Sequence, residues 1–335
     1  MDLNKIFIKG ACPTKVGGQA VLEGIMMKGA DRTAVAIRKP NGRIHIRIKP
    51  LPTPSKIRKI PFLRGVFVFI DALVEGTKTL LYSAEVLEDA EDEEGNKVYE
   101  DDKLTLWLND KFGEKAAFNL MIYFSVFISL LFTVGIFIIG PTFAVDLLGG
   151  LISNEVVLNL VEGVFRILLF VIYVWLISKM KDIQTVFRYH GAEHKTIHCF
   201  ENGLELTPAN CRDFSTLHPR CGTSFLMFVF IISLLLFSLL GWPNLVARVV
   251  SRLLLIPVIA GVSFELLRWA GSSESWIVKI LSLPGLAMQK LSTMQPDDSQ
   301  LEVAIAAMKA VLNTDGPREF TGETDMSGEL YELAD

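Results

Sequence analysis

Residues Phe118–Gly140 read FNLMIYFSVFISLLFTVGIFIIG and contain no charged side chain. At about 1.5 Å per residue, a helix of this length covers the roughly 30 Å of hydrocarbon in a bilayer. Half of the 335 residues are hydrophobic, and three later apolar runs are Val157–Ser178, Thr223–Gly241 and Val249–Ala270. The sequence therefore predicts a mainly α-helical polytopic membrane protein with about four transmembrane helices over residues 118–270.

The distribution of Lys and Arg predicts the orientation of these helices. The connection 141–156 contains no Lys or Arg, and 242–248 contains only Arg248, whereas 179–222 contains six of these residues. Lys and Arg are concentrated in the cytoplasmic loops of membrane proteins. We therefore predict a multi-pass protein with the loop 179–222 and both termini in the cytoplasm.

The N-terminal residues 1–60 are predicted to form a small, basic, β-rich unit in the cytoplasm. Residues 1–64 carry fourteen Lys and Arg against three Asp and Glu. Two alternating runs flank Asn41-Gly42, which is typical of a two-residue type I′ hairpin turn. The second run places four basic side chains on one face: Arg43, His45, Arg47 and Lys49. We interpret this face as solvated; the alternative is a surface for anionic lipid or RNA.

Residues 61–117 lead from this unit to the first span. Residues 61–83 are apolar with a charged stripe at near-helical spacing, which predicts an amphipathic helix lying in the membrane interface or packed on the bundle. The segment Glu85–Asp102 contains ten acids and one Lys, and it is predicted to be an exposed loop. A short interfacial helix is expected before residue 118.

Residues 271–312 are predicted to form interfacial and cytoplasmic helices after the last span. Pro284-Gly285 is expected to break the first of them. Ser299 and Glu302 have the spacing of a capping box, which predicts the start of the second. The acidic tail 313–335 is predicted to be disordered.

The loop 179–222 contains the candidate chemistry, most of it in the stretch RYHGAEHKTIHCFE (Arg188–Glu201). Four of the five histidines of the chain lie in this loop. If Tyr189–Glu201 is helical, histidines four residues apart share one face. Imidazoles clustered in this way, beside carboxylate and thiol groups, are typical of a divalent transition-metal site.

The five residues His190–His194 spell H-x-x-E-H, which in inverted zinc proteases supplies two ligands and a general base. A catalytic zinc ion needs three protein ligands and an open position. We predict a divalent metal, zinc before others, held by His190, His194 and His218, with Glu193 as the catalytic base. Further candidate ligands are His198, Cys199 and Cys221. Arg188 or Lys195 would stabilise an anionic substrate group.

Two other interpretations of the cluster remain open. A closed structural zinc site would attach the loop to the helices, and the sulfur of Cys199 or Cys221 favours that arrangement. The histidines are also compatible with an ordinary hydrogen-bonded core. Glu265 is a further candidate ligand, although an ion pair with Arg268 is the simpler expectation.

The chain resembles the YqhQ family of bacterial membrane proteins. The resemblance covers nearly the whole chain and rests on four motifs in order: GGQAVLEGIMMKG (Gly17–Gly29), RYHGAEHKTIHCFE, HPRCGTSF (His218–Phe225) and LSTMQPDDSQLEVAIAAMKAVL (Leu291–Leu312). That family is classed as a domain of unknown function and is sometimes labelled a predicted metal-dependent enzyme. The resemblance implies a location in the bacterial inner membrane.

Two functional hypotheses follow from the sequence. The first is metal-dependent hydrolysis of a membrane-associated substrate at the cytoplasmic face. The second is a non-enzymatic scaffold or a partner in membrane-protein insertion or assembly, with a structural metal or a histidine network. Membrane lipids are the expected partners, together with a protein partner at the cytoplasmic face in the second hypothesis; nucleic acid is not expected.

Overall fold

The computed structural model describes most of the chain. The described residues are 3–8, 10–53, 56–88, 103–147, 152–241, 243–272, 275–313, 315–317, 319–324 and 329–332. The chain divides into two compact units: Met1–Asn96, Val174–Val229 and Val258–Asp335 form the first, and Lys97–Tyr173 and Phe230–Pro257 form the second. The first unit therefore joins the N-terminal segment, the histidine loop and the C-terminal segment, which the sequence treats as separate regions.

The described residues are mostly helical. The helices are α1 (Leu63–Glu88), α2 (Lys103–Phe112), α3 (Glu114–Val134), α4 (Gly140–Asp146), α5 (Glu155–Ile177), α6 (Lys181–Glu201), α7 (Pro208–Arg212), α8 (Gly222–Ser238), α9 (Leu245–Ser272), α10 (Trp276–Ser292) and α11 (Asp298–Leu312). A π-helical segment, Gly135–Ile139, joins α3 to α4. Residues 89–102, which hold most of the predicted acidic loop, lie outside the described residues.

One antiparallel sheet of six strands follows chain order in the first unit. The strands are β1 (Gly17–Val21), β2 (Gly24–Lys28), β3 (Arg32–Arg38), β4 (Ile44–Pro50), β5 (Phe320–Thr324) and β6 (Leu330–Glu332). The predicted N-terminal β-structure is confirmed. The prediction of a disordered tail is wrong for β5 and β6, because β5 pairs with β4 along Ile44–Ile48. Phe320 of β5 packs against the core. The acidic composition of the tail gives no sign of this strand in the sequence.

The predicted hairpin between β3 and β4 is present, but its turn is of another type. The Gly42 N–H donates to the Lys39 carbonyl at 2.9 Å, and the Lys39 N–H donates to the Arg43 carbonyl at 2.9 Å. Within this turn only Gly42 has a positive φ, of 78°. A type I′ turn needs a positive φ at both central residues. Asn41, the first central residue of the predicted turn, does not have one. The observed turn instead starts at Lys39 and places Pro40 at its second position, which suits the φ near −65° that the proline ring fixes.

Helices α6 and α11 cover one face of the sheet and build the main core. Leu301, Ile305 and Met308 of α11 are fully buried there. The Asp297 carboxylate accepts from the Gln300 N–H at 3.0 Å, and the Gln300 amide oxygen accepts from the Asp297 N–H at 3.1 Å. The capping box therefore lies two residues before the predicted position, since Asp and Gln satisfy the same pattern as Ser and Glu.

Helix α1 confirms the helix predicted over 61–83, and its last turns cover the other face of the sheet. The Tyr82 hydroxyl lies 2.6 Å from His45 Nε2, and the guanidinium of Arg47 lies 3.1 Å from the Tyr82 ring centroid. His45 is 4% exposed. The interpretation of this basic face as solvated is therefore wrong for His45 and Arg47, because the Tyr82 ring covers them, whereas Arg43 and Lys49 are exposed.

The polarity of α1 is inverted relative to a helix on a soluble protein. Its buried positions are Gly65, Gly76, Thr79, Ser83 and Leu87. Its exposed positions include Leu63, Val68, Ile70, Leu73, Val74 and Leu80. Arg64 of α1 forms an ion pair with Glu265 of α9, so the main partner of Glu265 is Arg64 and not the expected Arg268. Small buried residues and apolar exposed ones are the pattern of helices surrounded by lipid.

Three helical stretches among the described residues are long and apolar enough to cross a membrane: Leu120–Asp146, Glu155–Ile177 and Leu245–Ala270. The remaining predicted run, Thr223–Gly241, forms α8, an apolar helix of 17 residues. The predicted break of α10 is wrong, because the helix continues through Pro284. Gly285 instead permits a close approach: an added Cβ would lie 2.6 Å from Ser224 Oγ at the start of α8.

The second unit buries a charged cluster centred on Glu162 of α5. One Glu162 carboxylate oxygen lies 2.6 Å from a guanidinium nitrogen of Arg252 in α9 and 2.7 Å from a guanidinium nitrogen of Arg166 in α5. The Thr142 hydroxyl of α4 donates to the same oxygen at 2.9 Å. This cluster joins three helices through one carboxylate, and buried charges are tolerated only when they are paired in this way.

Candidate metal centre

Helix α6 carries the histidine motif on a buried face. It runs unbroken from Lys181 to Glu201, so the condition on which the shared histidine face depends, a helical Tyr189–Glu201, is met. His190 and His194 are one turn apart, and their ring centroids are separated by 4.5 Å.

The glycine inside the motif is explained by a close backbone contact. A Cβ added to Gly191 would lie 2.0 Å from the Met294 carbonyl oxygen. The Met294 N–H donates to the Phe187 carbonyl of α6 at 2.9 Å. The connection between α10 and α11 therefore crosses α6 at Gly191, and this contact outweighs the weak helix propensity of glycine.

Two backbone carbonyls fix the proton positions of the two imidazoles. His190 Nδ1 lies 2.7 Å from the Ser292 carbonyl oxygen, and His194 Nδ1 lies 2.5 Å from the Thr216 carbonyl oxygen. A carbonyl only accepts hydrogen bonds, so both Nδ1 atoms carry a proton, and each ring, when it is neutral, leaves Nε2 as its lone-pair donor. His190 Nε2 lies 3.1 Å from Cys221 Sγ. His194 Nε2 is buried and has no hydrogen-bond partner among the described residues.

These two imidazoles and one thiol form a three-residue group. The ligand atoms of His190, His194 and Cys221 all lie within 4.8 Å of one another. Ligands of a tetrahedral zinc ion, with metal–ligand bonds of about 2.0–2.3 Å, are separated by about 3.3–3.8 Å. A small inward movement of the side chains would therefore bring the three atoms into range of one ion.

The Cys221 thiol is in an environment that favours the thiolate. Burial alone would raise the pKa of Cys221, but the imidazoles of His190 and His194 outweigh it and hold the pKa well below its ordinary value. Cys221 directly precedes α8, and the Thr223 hydroxyl lies 3.4 Å from its Sγ. Burial lowers the pKa of His190, yet the neighbouring Cys221 raises it to about 9. The thiolate is the form of cysteine that binds metals.

Glu193 lies beside this group at a small cavity. Burial raises the pKa of Glu193, while the two imidazoles and a backbone hydrogen bond from Gly18 lower it in part. The cavity has a volume of about 140 Å³. Its wall includes Gly17, Gly18, Glu193, His194, His218 and Cys221. The cavity is large enough for a few water molecules or a small part of a substrate.

His218, a predicted ligand, lines the cavity wall without joining the three-residue group. Its Nε2 lies 3.7 Å from a Glu201 carboxylate oxygen, and its Nδ1 lies 3.4 Å from the Arg220 N–H. Burial lowers the pKa of His218 to about 3, so the ring is neutral at physiological pH. The Gln289 amide holds the His218 backbone by two hydrogen bonds of 2.8 Å.

The remaining candidate ligands have other contacts. His198 Nε2 lies 3.0 Å from the Leu217 carbonyl oxygen, and burial lowers the pKa of His198 to about 4. Cys199 lies in the core beneath the sheet, where its Sγ is 3.5 Å from the Glu205 carbonyl oxygen. Neither residue belongs to the group formed by His190, His194 and Cys221.

The two cations proposed to bind substrate do not face the cavity wall. Lys195 is buried, and its ammonium donates to the carbonyls of Arg212 and Phe214 at 2.6 Å each. It therefore closes the end of α7. Arg188 is exposed and is absent from the cavity lining.

The sequence analysis missed the residues that support the histidines. Glu201 is bound by the Thr14 N–H at 2.8 Å and forms an ion pair with Arg220. Burial raises the pKa of Glu201, but its hydrogen bonds and ion pair lower it to about 2. The glycine pair Gly17-Gly18 opens one of the four motifs of the resemblance, but its position near Glu193 has no local signal in the sequence. Nothing in the sequence distinguishes Gln289 from a surface amide.

Comparison with known proteins places the chain in a family. A family model described as a protein of unknown function, DUF1385, matches residues 60–314. The chain is also 35% identical over 317 residues to the Uncharacterized protein YqhQ of Bacillus subtilis (strain 168), covering 93% of this chain and 96% of that protein. No solved structure gives a significant match. The resemblance found in the four motifs is thereby confirmed, and the chain belongs to the DUF1385 family.

Proposed function

We propose that the chain binds one divalent metal ion, zinc, through His190, His194 and Cys221, and that it hydrolyses a membrane-associated substrate at the cytoplasmic face. The observation that carries the proposal is the pair of carbonyls on the two Nδ1 atoms. They direct both Nε2 lone pairs towards the region of Cys221. Partners of this kind orient metal-binding histidines in proteins.

The donor set fits zinc in number and kind. Two neutral imidazoles and a thiolate are a combination found at catalytic zinc sites, which leave a fourth position open. The cavity beside His194 and Cys221 supplies room for that position. A structural site would be closed by a fourth protein ligand, and His218, the nearest candidate, is directed towards Glu201.

The residues around the site can carry out hydrolysis. A bound zinc ion would lower the pKa of a coordinated water molecule and polarise the bond under attack. Glu193 accepts a proton from the water molecule while the water oxygen bonds to the substrate carbonyl carbon. Glu193 then gives that proton to the leaving group as the old bond breaks. Glu193 lines the cavity that would hold the water molecule, and burial raises its pKa, which is the direction that a general base at neutral pH needs.

We also propose that the chain crosses the membrane four times, with α8 as the third crossing. The support is strand pairing: β4 precedes the spans and β5 follows them, yet the two strands are adjacent. A bilayer cannot divide a hydrogen-bonded sheet. The segment between these strands therefore crosses an even number of times.

The requirement for an even number of crossings also applies separately to the parts of the chain before and after α6. Helix α6 packs in the first unit with β1 and α11, so it lies on the same side as the sheet. Leu120–Asp146 and Glu155–Ile177 make one pair of crossings before α6. After α6, the span Leu245–Ala270 requires a partner, and α8 is the apolar helix available in the described residues. Its 17 residues reach the lower limit for a crossing. The Lys and Arg of the loop 179–222 favour the cytoplasm of a bacterial inner membrane as the location of the first unit.

The rival function is a scaffold with a structural metal, and the sulfur ligand Cys221 is the observation that favours it. Glu193→Gln separates the two. An enzyme variant of this kind should keep its metal and its thermal stability but lose cellular function by about a hundredfold to ten-thousandfold in rate. The measurements are metal content, a melting curve and complementation of a deletion strain.

The matched control is Glu205→Gln, an exposed acid beyond the end of α6, which should complement fully. His190→Ala should lose the metal in either case. Full complementation by Glu193→Gln, with loss of both metal and stability in His190→Ala, would reject hydrolysis and favour the scaffold.

A further inference from the structure

We propose that the cytoplasmic leaflet of the membrane is the binding partner of α10, and that this lipid contact holds the candidate metal centre in place. This dependence rests on the proposed crossings and on the proposed metal site, to which it adds a form of regulation: the site is complete only at the membrane surface. The support comes from the place where α10 begins and from the different contacts of its two faces.

The outward face of α10 is apolar. The exposed residues of this helix are Trp276, Ile277, Ile280, Leu281, Leu283, Ala287 and Lys290. All but the last are apolar, and their spacing of three and four residues places them along one side of the helix. Trp276 is 70% exposed and Ile280 is 53% exposed. A row of large apolar side chains is unfavourable in water, whereas an amphipathic helix at a membrane surface buries such a face in lipid.

The start of α10 is close to the end of a proposed span. Helix α9 ends at Ser272, and α10 begins at Trp276. Four residues of extended chain cover at most about 14 Å. The apolar stretch of α9 ends at Ala270, so Trp276 lies near the membrane surface at which that span emerges. Tryptophan is enriched at such surfaces. The lipid leaflet is therefore the occupant that the apolar face of α10 meets.

The inward face of α10 packs on the first unit. Its buried residues are Val278, Ser282, Gly285, Leu286, Met288, Gln289 and Ser292. Leu286 belongs to a buried cluster with Ile6 and Leu217. Because this face is held by the first unit, α10 lies along the membrane surface and does not cross the bilayer.

Two residues of the inward face hold histidines of the candidate metal centre. The Ser292 carbonyl accepts from His190 Nδ1 at 2.7 Å. The Gln289 amide oxygen accepts from the His218 N–H, and its amide nitrogen donates to the His218 carbonyl, both at 2.8 Å. His218 lines the cavity at the centre. A movement of α10 would therefore release the His190 ring and the His218 backbone together. Lipid contact and metal binding strengthen each other, because both favour the same position of α10.

The first experiment tests the lipid contact through the fluorescence of Trp276. The full chain is placed in vesicles of phosphatidylcholine and phosphatidylglycerol whose acyl chains carry bromine, a short-range quencher of tryptophan. The chain has five tryptophans, so the signal of Trp276 is the difference between the unaltered chain and Trp276→Phe. Bromine near the headgroup end of the acyl chain should quench Trp276 more than bromine near the methyl end, because an interfacial helix inserts only about 5–10 Å. No quenching, or stronger quenching from the methyl end, would overturn the proposal.

The second experiment tests whether the lipid contact supports the metal centre. Leu281→Glu places a charge on the outward face of α10, and Leu204→Glu, in the segment after α6, is the matched control. The two leucines are 38% and 46% exposed, so in water both changes would be equally mild. In vesicles, the His218 amide should exchange its hydrogen about tenfold faster in Leu281→Glu, because movement of α10 breaks its bond to Gln289. Bound zinc should also fall in this variant, and Leu204→Glu should change neither property.

Hydrogen exchange at His218 does not require a metal, so it separates this proposal from the metal site. If the unaltered chain holds no zinc, the metal proposal is rejected, and the quenching of Trp276 and the exchange at His218 still decide the role of the lipid. Equal exchange in Leu281→Glu and Leu204→Glu would overturn that role even if zinc is bound. If Leu281→Glu does not fold, Leu281→Gln and Leu204→Gln make the same comparison without a charge.

Discussion

The Nε2 atom of His190 lies 3.1 Å from the Sγ atom of Cys221, although 31 positions separate the two residues in the chain. His190 belongs to the polar helix α6, and Cys221 directly precedes the apolar helix α8. This contact joins the predicted histidine motif to Cys221, which the sequence analysis gives only as a further candidate ligand. It also makes the choice of the third ligand testable.

The first prediction compares Cys221 with His218. Cys221→Ala should lose most of the bound zinc, because it removes one of three ligand atoms that lie within 4.8 Å of one another. His218→Ala should keep it, because the His218 ring is directed towards Glu201. The measurement is metal content of the purified variants by mass spectrometry. Loss of zinc in His218→Ala with retention in Cys221→Ala would restore the ligand set predicted from the sequence.

The second prediction concerns Gly191. Gly191→Ala should destabilise the first unit by about 1–3 kcal/mol or more, since its Cβ would overlap the Met294 carbonyl oxygen at 2.0 Å and force α6 and this connection apart. Gly17→Ala is the control, because nothing lies within 4 Å of its added Cβ. Thermal unfolding in detergent checks both variants. Equal melting temperatures would contradict the close crossing at Gly191.

The third prediction is a dependence of stability on pH through His45. Burial, with the charges of Lys39 and Arg47, lowers the pKa of His45 from 6.5 to about 4 in the folded chain. Its neutral form is therefore favoured on folding. The stabilisation is fully present above pH 6.5 and is lost as the pH falls towards 4, by up to about 3 kcal/mol.

The measurement compares the unaltered chain with His45→Gln between pH 7.5 and pH 5. The variant should lose less stability over this range, while the other histidines contribute equally to both proteins. Parallel stability curves for the two proteins would show that His45 titrates normally and that its contact with Tyr82 does not exclude the charged form.

The fourth prediction is the membrane topology. Single cysteines placed at Asn244 and Glu205, in a chain without its own cysteines, should differ in their reaction with an impermeant maleimide added to intact cells. Asn244 should react, because it follows α8 on the outer side, and Glu205 should be protected. Protection at both positions would mean that α8 does not cross, which contradicts the parity required by the pairing of β4 with β5.

The fifth prediction concerns Glu162 in the second unit. Glu162→Gln should destabilise the protein by about 3–5 kcal/mol, because it leaves the buried guanidinium groups of Arg166 and Arg252 without their carboxylate. Asp146→Asn is the control, since the Asp146 side chain is 45% exposed although it pairs with Arg248. That variant should lose about 1 kcal/mol or less. Equal losses in the two variants would contradict a central role for Glu162.

Local patterns made the long apolar helices and the β3–β4 hairpin predictable from the sequence, because each depends on residues close together in the chain. The pairing of β5 with β4 could not be predicted in this way, since it depends on a long-range contact and the acidic tail resembles a disordered segment. The grouping of Cys221, in place of His218, with His190 and His194 could not be predicted from local sequence either. It depends on which backbone carbonyls the imidazoles meet, and those carbonyls belong to Ser292 and Thr216 on other segments.

The position of β5 beside β4 also constrains how the protein is made. Strand β4 is translated well before β5, because the long apolar helices lie between the two strands in the chain. While these helices are being made, β4 therefore remains without its neighbour on one side. The sheet of the first unit can close only once β5 has been made, and a chain that stopped before β5 would keep an open edge that chaperones and proteases can recognise.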